Sequence, residues 1–253
     1  MSPGDVAATA LAVVLLALVA AVVPLADGVR QGRAVAVALA RAALQLAAVG
    51  LVLGAVFRAP VALLPVLALM LVAATTTVVP RLAGLPVSGR WRRPAAATLA
   101  ITAGAALTGA VVFGTGALAP GIRYAIALGG ITIGGAMTAC TLAGRRFIAE
   151  LRARRAEVEG ALALGATMRQ ATADLVRVAV GEALVPALDQ TRTTGLVTLP
   201  GAFVGALFGG AAPLEAARFQ LVVLAGLLAA ETVAAVVLLR QLAAVPFLIG
   251  PET

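Results

Sequence analysis

Seven long apolar segments, separated by short polar stretches, dominate the sequence. A helix needs about 20 mostly apolar residues to cross a bilayer. Segments that meet this length lie at residues 6–26, 39–57, 61–79, 95–118, 124–143, 195–212 and 219–239. The sixth is the shortest and carries Pro200 in its first turns. These segments predict an all-α, polytopic integral membrane protein with about seven transmembrane helices, located as a multi-pass protein in the cell membrane.

The composition argues against a soluble protein and against several enzyme classes. Hydrophobic residues make up 62% of the 253 and charged residues 12%, whereas soluble domains are about 45–50% apolar and about 25% charged. The chain has no His and no Lys, so it cannot build a Ser-His-Asp triad, a histidine zinc site or a Walker A phosphate loop. We therefore expect no enzymatic activity and no cofactor in this chain, with any ATP bound by a partner.

The arginines predict the orientation, because cytoplasmic loops retain an excess of positive charge. With the N-terminus outside and the C-terminus inside, sixteen of the 19 basic residues fall on the cytoplasmic side. Only Arg58, Arg123 and Arg218 fall outside. This pattern accounts for the net charge of +8 without a nucleic-acid partner. Residues 1–5 contain an acid and no basic residue, so we expect the first segment to be a membrane span and not a signal peptide.

The largest predicted loop is cytoplasmic, at about residues 144–194, and its pattern indicates a helical hairpin. Gly165 suits the C-cap of a first helix, and Thr167 with Gln170 has the form of a capping box that begins a second helix running towards Pro186. Glu150 and Arg154 have the spacing of an ion pair in the first helix. Its predicted apolar face contains Ile148, Leu151, Val158 and Leu162. These signals alone fit an ordinary solvated hairpin equally well.

The same loop carries a family resemblance. Glu159, Ala161 and Gly165 have the E-x-A-x-x-x-G spacing of the EAA loop, which forms the coupling helix of ABC-transporter permeases. Over about residues 40–240 the chain resembles the FetB-like (YbbM) family of small ABC permeases, which are implicated in iron export and metal tolerance. The matching stretches begin at Arg41, Ala136, Leu164, Ala183 and Thr194, and the last, TGLVTLPG, is the most specific.

The resemblance implies one transmembrane permease domain, residues 1–253, that exports iron or another metal ion. It implies a separate ABC ATPase subunit and assembly as two permeases with two ATPases, within membrane lipid. The residues implied in ATPase coupling are Glu159, Gly165, Ala166, Thr167 and Gln170. An ATP-independent secondary transporter of a small solute is the alternative, and a membrane scaffold or enzyme is disfavoured.

Ionisable residues inside membrane segments are costly and often functional. Glu231 lies inside the last segment, where it either lines a polar path or forms a salt bridge with Arg240. Asp189 lies at the predicted cytoplasmic mouth of the sixth segment, where it either contacts substrate or has a structural role, as an N-cap or in an ion pair with Arg192. Met137 and Cys140 carry soft sulfur ligands, although Met in an apolar helix is usually a packing residue. The composition leaves the identity of any metal site open.

The remaining path candidates are polar or conformationally special residues. These are Gln45, Thr194, Pro200 and Gly201, of which the last two could interrupt the sixth helix and free backbone carbonyls. Two glycine series, Gly130 with Gly134 and Gly201 with Gly205 and Gly209, have the four-residue spacing that favours close helix packing.

Overall fold

The computed structural model describes residues 3–56, 60–83 and 92–243, which fall into two compact units, Met1–Pro60 and Val61–Thr253. The described residues are almost entirely helical, and they contain no strand beyond an isolated bridge between Thr194 and Thr198. The all-α prediction is therefore confirmed.

The first unit contains two apolar helices, α1 (Pro3–Val22) and α2 (Gly32–Val56). A 3-10 turn, Val23–Asp27, joins them and ends at Gly28, whose φ of 74° requires glycine. The Gly28 amide donates a hydrogen bond to the carbonyl of Leu25 at 3.0 Å. Most described side chains of both helices are exposed within the chain, so this unit presents an apolar surface suited to lipid.

The second unit is a helical bundle centred on two long helices, α5 (Ile122–Ala153) and α10 (Pro213–Leu242). The other elements are α3 (Leu63–Val78), α4 (Arg92–Gly114), α6 (Arg155–Ala163), α7 (Met168–Ala171), α8 (Ala173–Thr193) and α9 (Gly201–Phe208). Helices α4, α5, α8 and α9 all contact α10, and α3 contacts α4 and α5.

Small residues let the central helices approach closely. Gly104 of α4 packs against the backbone of Ala230 in α10, and four residues later Thr108 donates a hydrogen bond to the carbonyl of Gly226 at 3.1 Å. These two contacts show that α4 and α10 are antiparallel. Alanines fill much of the buried interface, including Ala97, Ala136 and Ala234. Without a strong hydrophobic drive in lipid, such close packing is a main source of association.

Within the part of the chain that the structure describes, six helical segments are long and apolar enough to cross a membrane, and they overlap six of the seven predicted spans. The predicted sixth span, residues 195–212, is the difference. It holds only the eight-residue α9, which rises about 12 Å, well short of the ~30 Å hydrocarbon core. The amides of Leu196, Val197 and Thr198 all fold back onto the carbonyl of Thr193, with Gly195 at a φ of 87°. The prediction of one apolar helix there is wrong.

Helix α8 instead runs beside the middle of the bundle. Its residues Ala183, Pro186 and Gln190 border a cavity shared with residues 130–142 of α5 and with Glu231 of α10. Part of the predicted loop 144–194 therefore packs at the level of the fifth and seventh predicted spans. Hydropathy misses α8 because Glu182, Asp189 and Arg192 interrupt its apolar residues.

Candidate functional site

The hairpin, residues 155–171, has the capping chemistry that the sequence predicts. Gly165 adopts a φ of 91°, which favours glycine. The amides of Gly165 and Ala166 donate to the carbonyls of Leu162 and Ala161, both at 3.0 Å, as in a Schellman ending. Thr167 and Gln170 form the reciprocal capping box, with the Thr167 amide donating to Gln170 Oε1 at 2.8 Å. Hydrogen bonds among residues 161–170 thereby fix the turn locally.

The hairpin has one buried face and one exposed face. Val158 and Met168 are buried, together with Leu151 of α5 and Leu175 of α8, so the predicted apolar face does pack inward. Leu164 at the tip is 91% exposed. The five residues implied in coupling share this tip: Glu159, Gly165, Thr167 and Gln170 are exposed, and Ala166 is half-buried.

The ion pairs of the hairpin differ from the predicted one. Glu150 pairs with Arg146 at 2.9 Å, and Arg154 donates its Nε–H to Glu157 at 2.9 Å. The reason is a break in the helix: Arg154 caps α5 with non-helical dihedral angles, which redirects its side chain towards α6. The hydrogen bond from Arg154 lowers the pKa of Glu157 and raises the pKa of Arg154.

Arg146 connects α5 to α8. Its guanidinium contacts Glu150 in its own helix and Glu182 in α8, each at 2.9 Å. Both Arg146 and Glu182 are partly exposed, so the pair adds at most about 1 kcal/mol to stability. Its importance is positional, because it ties the first half of α8 to the long helix that leads into the hairpin.

Beyond this ion pair, α5, α8 and α10 enclose a cavity of about 370 Å³. Glycines 130, 134 and 135 of α5 give it room, and Pro186 of α8 lies on its wall. Pro186 has no N–H to donate to the carbonyl of Glu182, four residues earlier. The polar side chains that line the cavity are Thr138, Gln190 and Glu231.

Glu231 is the main charged group of this cavity. It is 8% exposed, and among the described residues no hydrogen bond or ion pair to its carboxylate is found, so the possible salt bridge with Arg240 does not form. Its Oε1 lies 2.7 Å from the position that a Cβ on Gly135 would occupy. No cluster of three or more Asp, Glu, Cys or His side chains occurs in the described part of the chain. One carboxylate, a hydroxyl and an amide suit transient contact with a cation better than tight chelation.

A second cavity, of about 390 Å³, lies between the C-terminal end of α8, the start of α9 and the first half of α10. It is lined by two predicted candidates, Thr194 and Pro200, and by Thr191 and Gln220, which the sequence reading missed. Gln220 lies eleven residues before Glu231, a spacing that returns to the same face of a helix. That spacing is the signal that could have identified it. Gln190 and Thr138 carry no comparable signal.

The other candidates lie elsewhere. Asp189 is largely exposed and pairs with Arg192 at 3.5 Å, one of its two predicted roles. Cys140 is fully buried among apolar side chains, and Met137 packs half-buried against the same core. Neither sulfur borders either cavity. Gln45 is an exposed residue of α2, in the other unit, and the exposed Gly201 begins α9, with Pro200 as its N-cap.

The glycines of the two predicted series differ in how closely their neighbours pack. A Cβ on Gly130 would meet Met70 at 2.8 Å, so this glycine serves close packing, whereas Gly134 faces open space beside the cavity. No atom of another part of the chain lies within 4 Å of the position that a Cβ on Gly201 or Gly205 would occupy. Close packing by the second series is therefore absent among the described residues.

Residues 7–247 match the model of the uncharacterised protein family UPF0014. The chain belongs to this family. It is 38% identical over 199 residues to the rice UPF0014 membrane protein STAR2, covering 79% of this chain and 69% of that one. It is 32% identical over 206 residues to YjkA of Bacillus subtilis, covering 80% of each. No solved structure matches the chain.

A third relative bears on function. The chain is 35% identical over 143 residues to the probable iron export permease protein FetB of Escherichia coli, covering 55% of this chain and 54% of that one. The predicted resemblance to the FetB-like family is thus confirmed. Family membership and the six apolar helices establish a multi-pass membrane protein.

Proposed function

We propose that this chain is the membrane-spanning permease subunit of an ABC transporter and that it exports a metal cation past Glu231. A separate ATPase subunit would bind ATP and dock at the tip of the hairpin. Two copies of the chain would assemble with two ATPases. The chain then needs no enzymatic site and no cofactor of its own.

The observation that carries the proposal is the continuity between the hairpin and the cavity. Helix α7 ends at Ala171 and α8 begins at Ala173, with Thr172 fully buried between them. The same α8 then provides Ala183, Pro186 and Gln190 to the cavity wall. A force applied at the hairpin tip would therefore reach the cavity through one helix, since a packed helix moves as a rigid element.

A metal cation is the proposed cargo because of the chemistry of the cavity. A buried carboxylate without a cationic partner attracts positive charge, and an oxygen-only set suits hard cations. The name of the FetB relative supports the choice of a metal and of export. A secondary transporter is favoured by one observation only, the unpaired Glu231, which could carry a coupling ion.

Reconstitution of the full chain with a candidate ABC ATPase from the same organism tests the proposal. We expect cation transport that requires ATP, and Glu231→Gln should abolish transport while ATPase binding is retained. Export of cations is measured element by element in vesicles. If no ATPase co-purifies and Glu231→Gln still abolishes transport, the chain is a secondary transporter and the proposal is overturned.

Substitutions at the hairpin test the docking role separately. Glu159→Arg and Gly165→Pro should uncouple ATP hydrolysis from transport without preventing membrane insertion. Gly165→Pro acts because proline cannot adopt a φ of 91°. Glu215→Arg, an exposed acid in the first turn of α10, is the charge-matched control. Unchanged ATPase stimulation in both hairpin variants would contradict the docking assignment.

A further inference from the structure

The second cavity contains a buried polar group without a partner. Gln220 is only 5% exposed, and its Oε1 has no hydrogen-bond partner among the described residues. A buried amide oxygen without a hydrogen-bond partner destabilises the folded chain, because its desolvation is not compensated. The same amide lines a cavity whose other walls are largely apolar, with Leu199, Phe203, Leu221 and Leu224. An unpaired, buried amide oxygen on the wall of a largely apolar cavity indicates that the cavity binds a polar ligand.

Two hydroxyls complete the polar lining. Thr191 Oγ1 donates its hydrogen to the carbonyl of Ala187 at 2.8 Å, and Thr194 Oγ1 donates to that of Gln190 at 2.7 Å. Each hydroxyl uses its only hydrogen in a bond to an α8 carbonyl, so its oxygen can only accept hydrogen bonds from a ligand. The cavity therefore offers neutral oxygens and no charged side chain.

We infer that this cavity, at Gln220, Thr191 and Thr194, binds the cargo cation with its hydration shell intact. The inference rests on the proposed function, which supplies the cation. Three neutral acceptors are too few to replace the inner shell of a small hard divalent ion, which gives up its waters reluctantly. They can accept hydrogen bonds from its bound waters.

The size of the cavity agrees with this ligand. Six waters at their share of liquid volume, ~30 Å³ each, occupy about 180 Å³. The cavity, at about 390 Å³, has room for such an ion. Glu231 lies on the same face of α10, eleven residues further along, which is about 16 Å at the helical rise. The two cavities are thus successive cation sites along the α8–α10 interface. The first contains the Glu231 carboxylate, and the second offers only neutral oxygens.

Cation binding to the purified full chain tests the inference, with Mn²⁺ followed by electron paramagnetic resonance. Hexaamminecobalt(III), whose ammine ligands do not exchange, serves as a competitor that can bind only through its outer shell. In Glu231→Gln protein, we expect residual Mn²⁺ binding that hexaamminecobalt(III) displaces. Gln220→Leu in that background should weaken this residual binding at least tenfold, and Gln220→Glu should strengthen it. Leu221→Met, on the same cavity wall, is the control.

The outcomes separate this inference from the proposed function. Residual Mn²⁺ binding that Gln220→Leu and Gln220→Glu leave unchanged would overturn the assignment of a cation site to the cavity at Gln220. Residual binding that resists hexaamminecobalt(III) would overturn the outer-shell mode. Either result can occur while Glu231→Gln still abolishes ATP-driven transport, in which case the proposed function stands alone. The thermal unfolding midpoint of each variant in detergent identifies any that fail to fold.

Discussion

The carboxylate of Glu231 in α10 lies against Gly135 of α5, with Oε1 2.7 Å from the position of a Cβ on that glycine. Leu227 Cδ1, from the preceding turn of α10, lies closer still to that position. The absence of a side chain at residue 135 thus fixes where the cavity's one carboxylate sits. A close approach of two helices, and not a ligand cluster, defines the candidate site.

Gly135→Ala should therefore impair transport more than folding. The added methyl group must displace the flexible ends of Glu231 and Leu227, at a cost of at most about 1–3 kcal/mol. We expect transport to fall several-fold while the protein still inserts and remains monodisperse. Gly134→Ala is the matched control, because Gly134 has no neighbour within 4 Å. Equal transport by the two variants would show that the position of the Glu231 carboxylate does not matter.

Gly104→Ala should destabilise the bundle itself. Its Cβ would collide with the backbone carbonyl of Ala230, which cannot move aside as a side chain can. We expect a loss of about 1–3 kcal/mol, or more if α4 and α10 separate. Gly109→Ala, in the same helix with open space around it, should be neutral or more stable by up to about 1 kcal/mol. Thermal unfolding midpoints in detergent compare the two, and a lower midpoint for Gly109→Ala would contradict the packing argument.

Glu182→Gln should weaken coupling without weakening the fold. The substitution removes the link from α8 to Arg146, whose stability contribution is below about 1 kcal/mol in this exposed position. We expect ATP hydrolysis to continue with less cation moved per ATP. Glu157→Gln removes an exposed pair local to the α5–α6 junction, Arg154 with Glu157, and not a link to α8, so it should leave that ratio unchanged. The prediction fails if both variants give the wild-type ratio.

Thiol labelling can map the cavity, because the chain has a single cysteine. Cys140 is fully buried, so the unmodified protein should react very slowly with a polar thiol reagent in membranes. In a Cys140→Ala background, Thr138→Cys places a thiol on an exposed residue of the cavity wall. We expect its labelling to be at least about tenfold faster, since reaction needs an accessible thiolate. Comparable rates in the two proteins would exclude an open cavity beside Thr138.

Local chemistry explains what could be predicted about the hairpin. Gly165, Thr167 and Gln170 interact within a few residues of one another, so their cap and turn follow from spacing alone. The partner of Glu150 could not be predicted in this way. Whether it pairs with Arg154 or with Arg146 depends on where α5 breaks, and nothing in the local pattern identifies Arg154 as the break.

Some site residues could likewise be identified from the sequence, whereas others depend on tertiary packing. Glu231 stands out because a carboxylate in an apolar segment is rare, and the structure brings it to a cavity. Cys140 and Met137 attract notice for their chemistry, yet packing turns both away from the cavities. Gln220 has only its helical spacing from Glu231 as a signal and Gln190 has none, so the approach of α8 to α10 is what places them on cavity walls.

The long apolar segments by themselves determined the membrane character and the all-α fold, because length and hydropathy identified six of the seven predicted spans as long apolar helices. Only the tertiary structure decided that residues 195–212 turn back and that α8 packs along the bundle through Leu175, Ala179, Ala183 and Ala187. A helix with Glu182, Asp189 and Arg192 can occupy that position because neighbouring helices and ion pairs accommodate its polar groups. The partner of Glu182 is Arg146 of α5, about which the hydropathy of α8 itself carries no information, whereas Asp189 and Arg192 pair with each other.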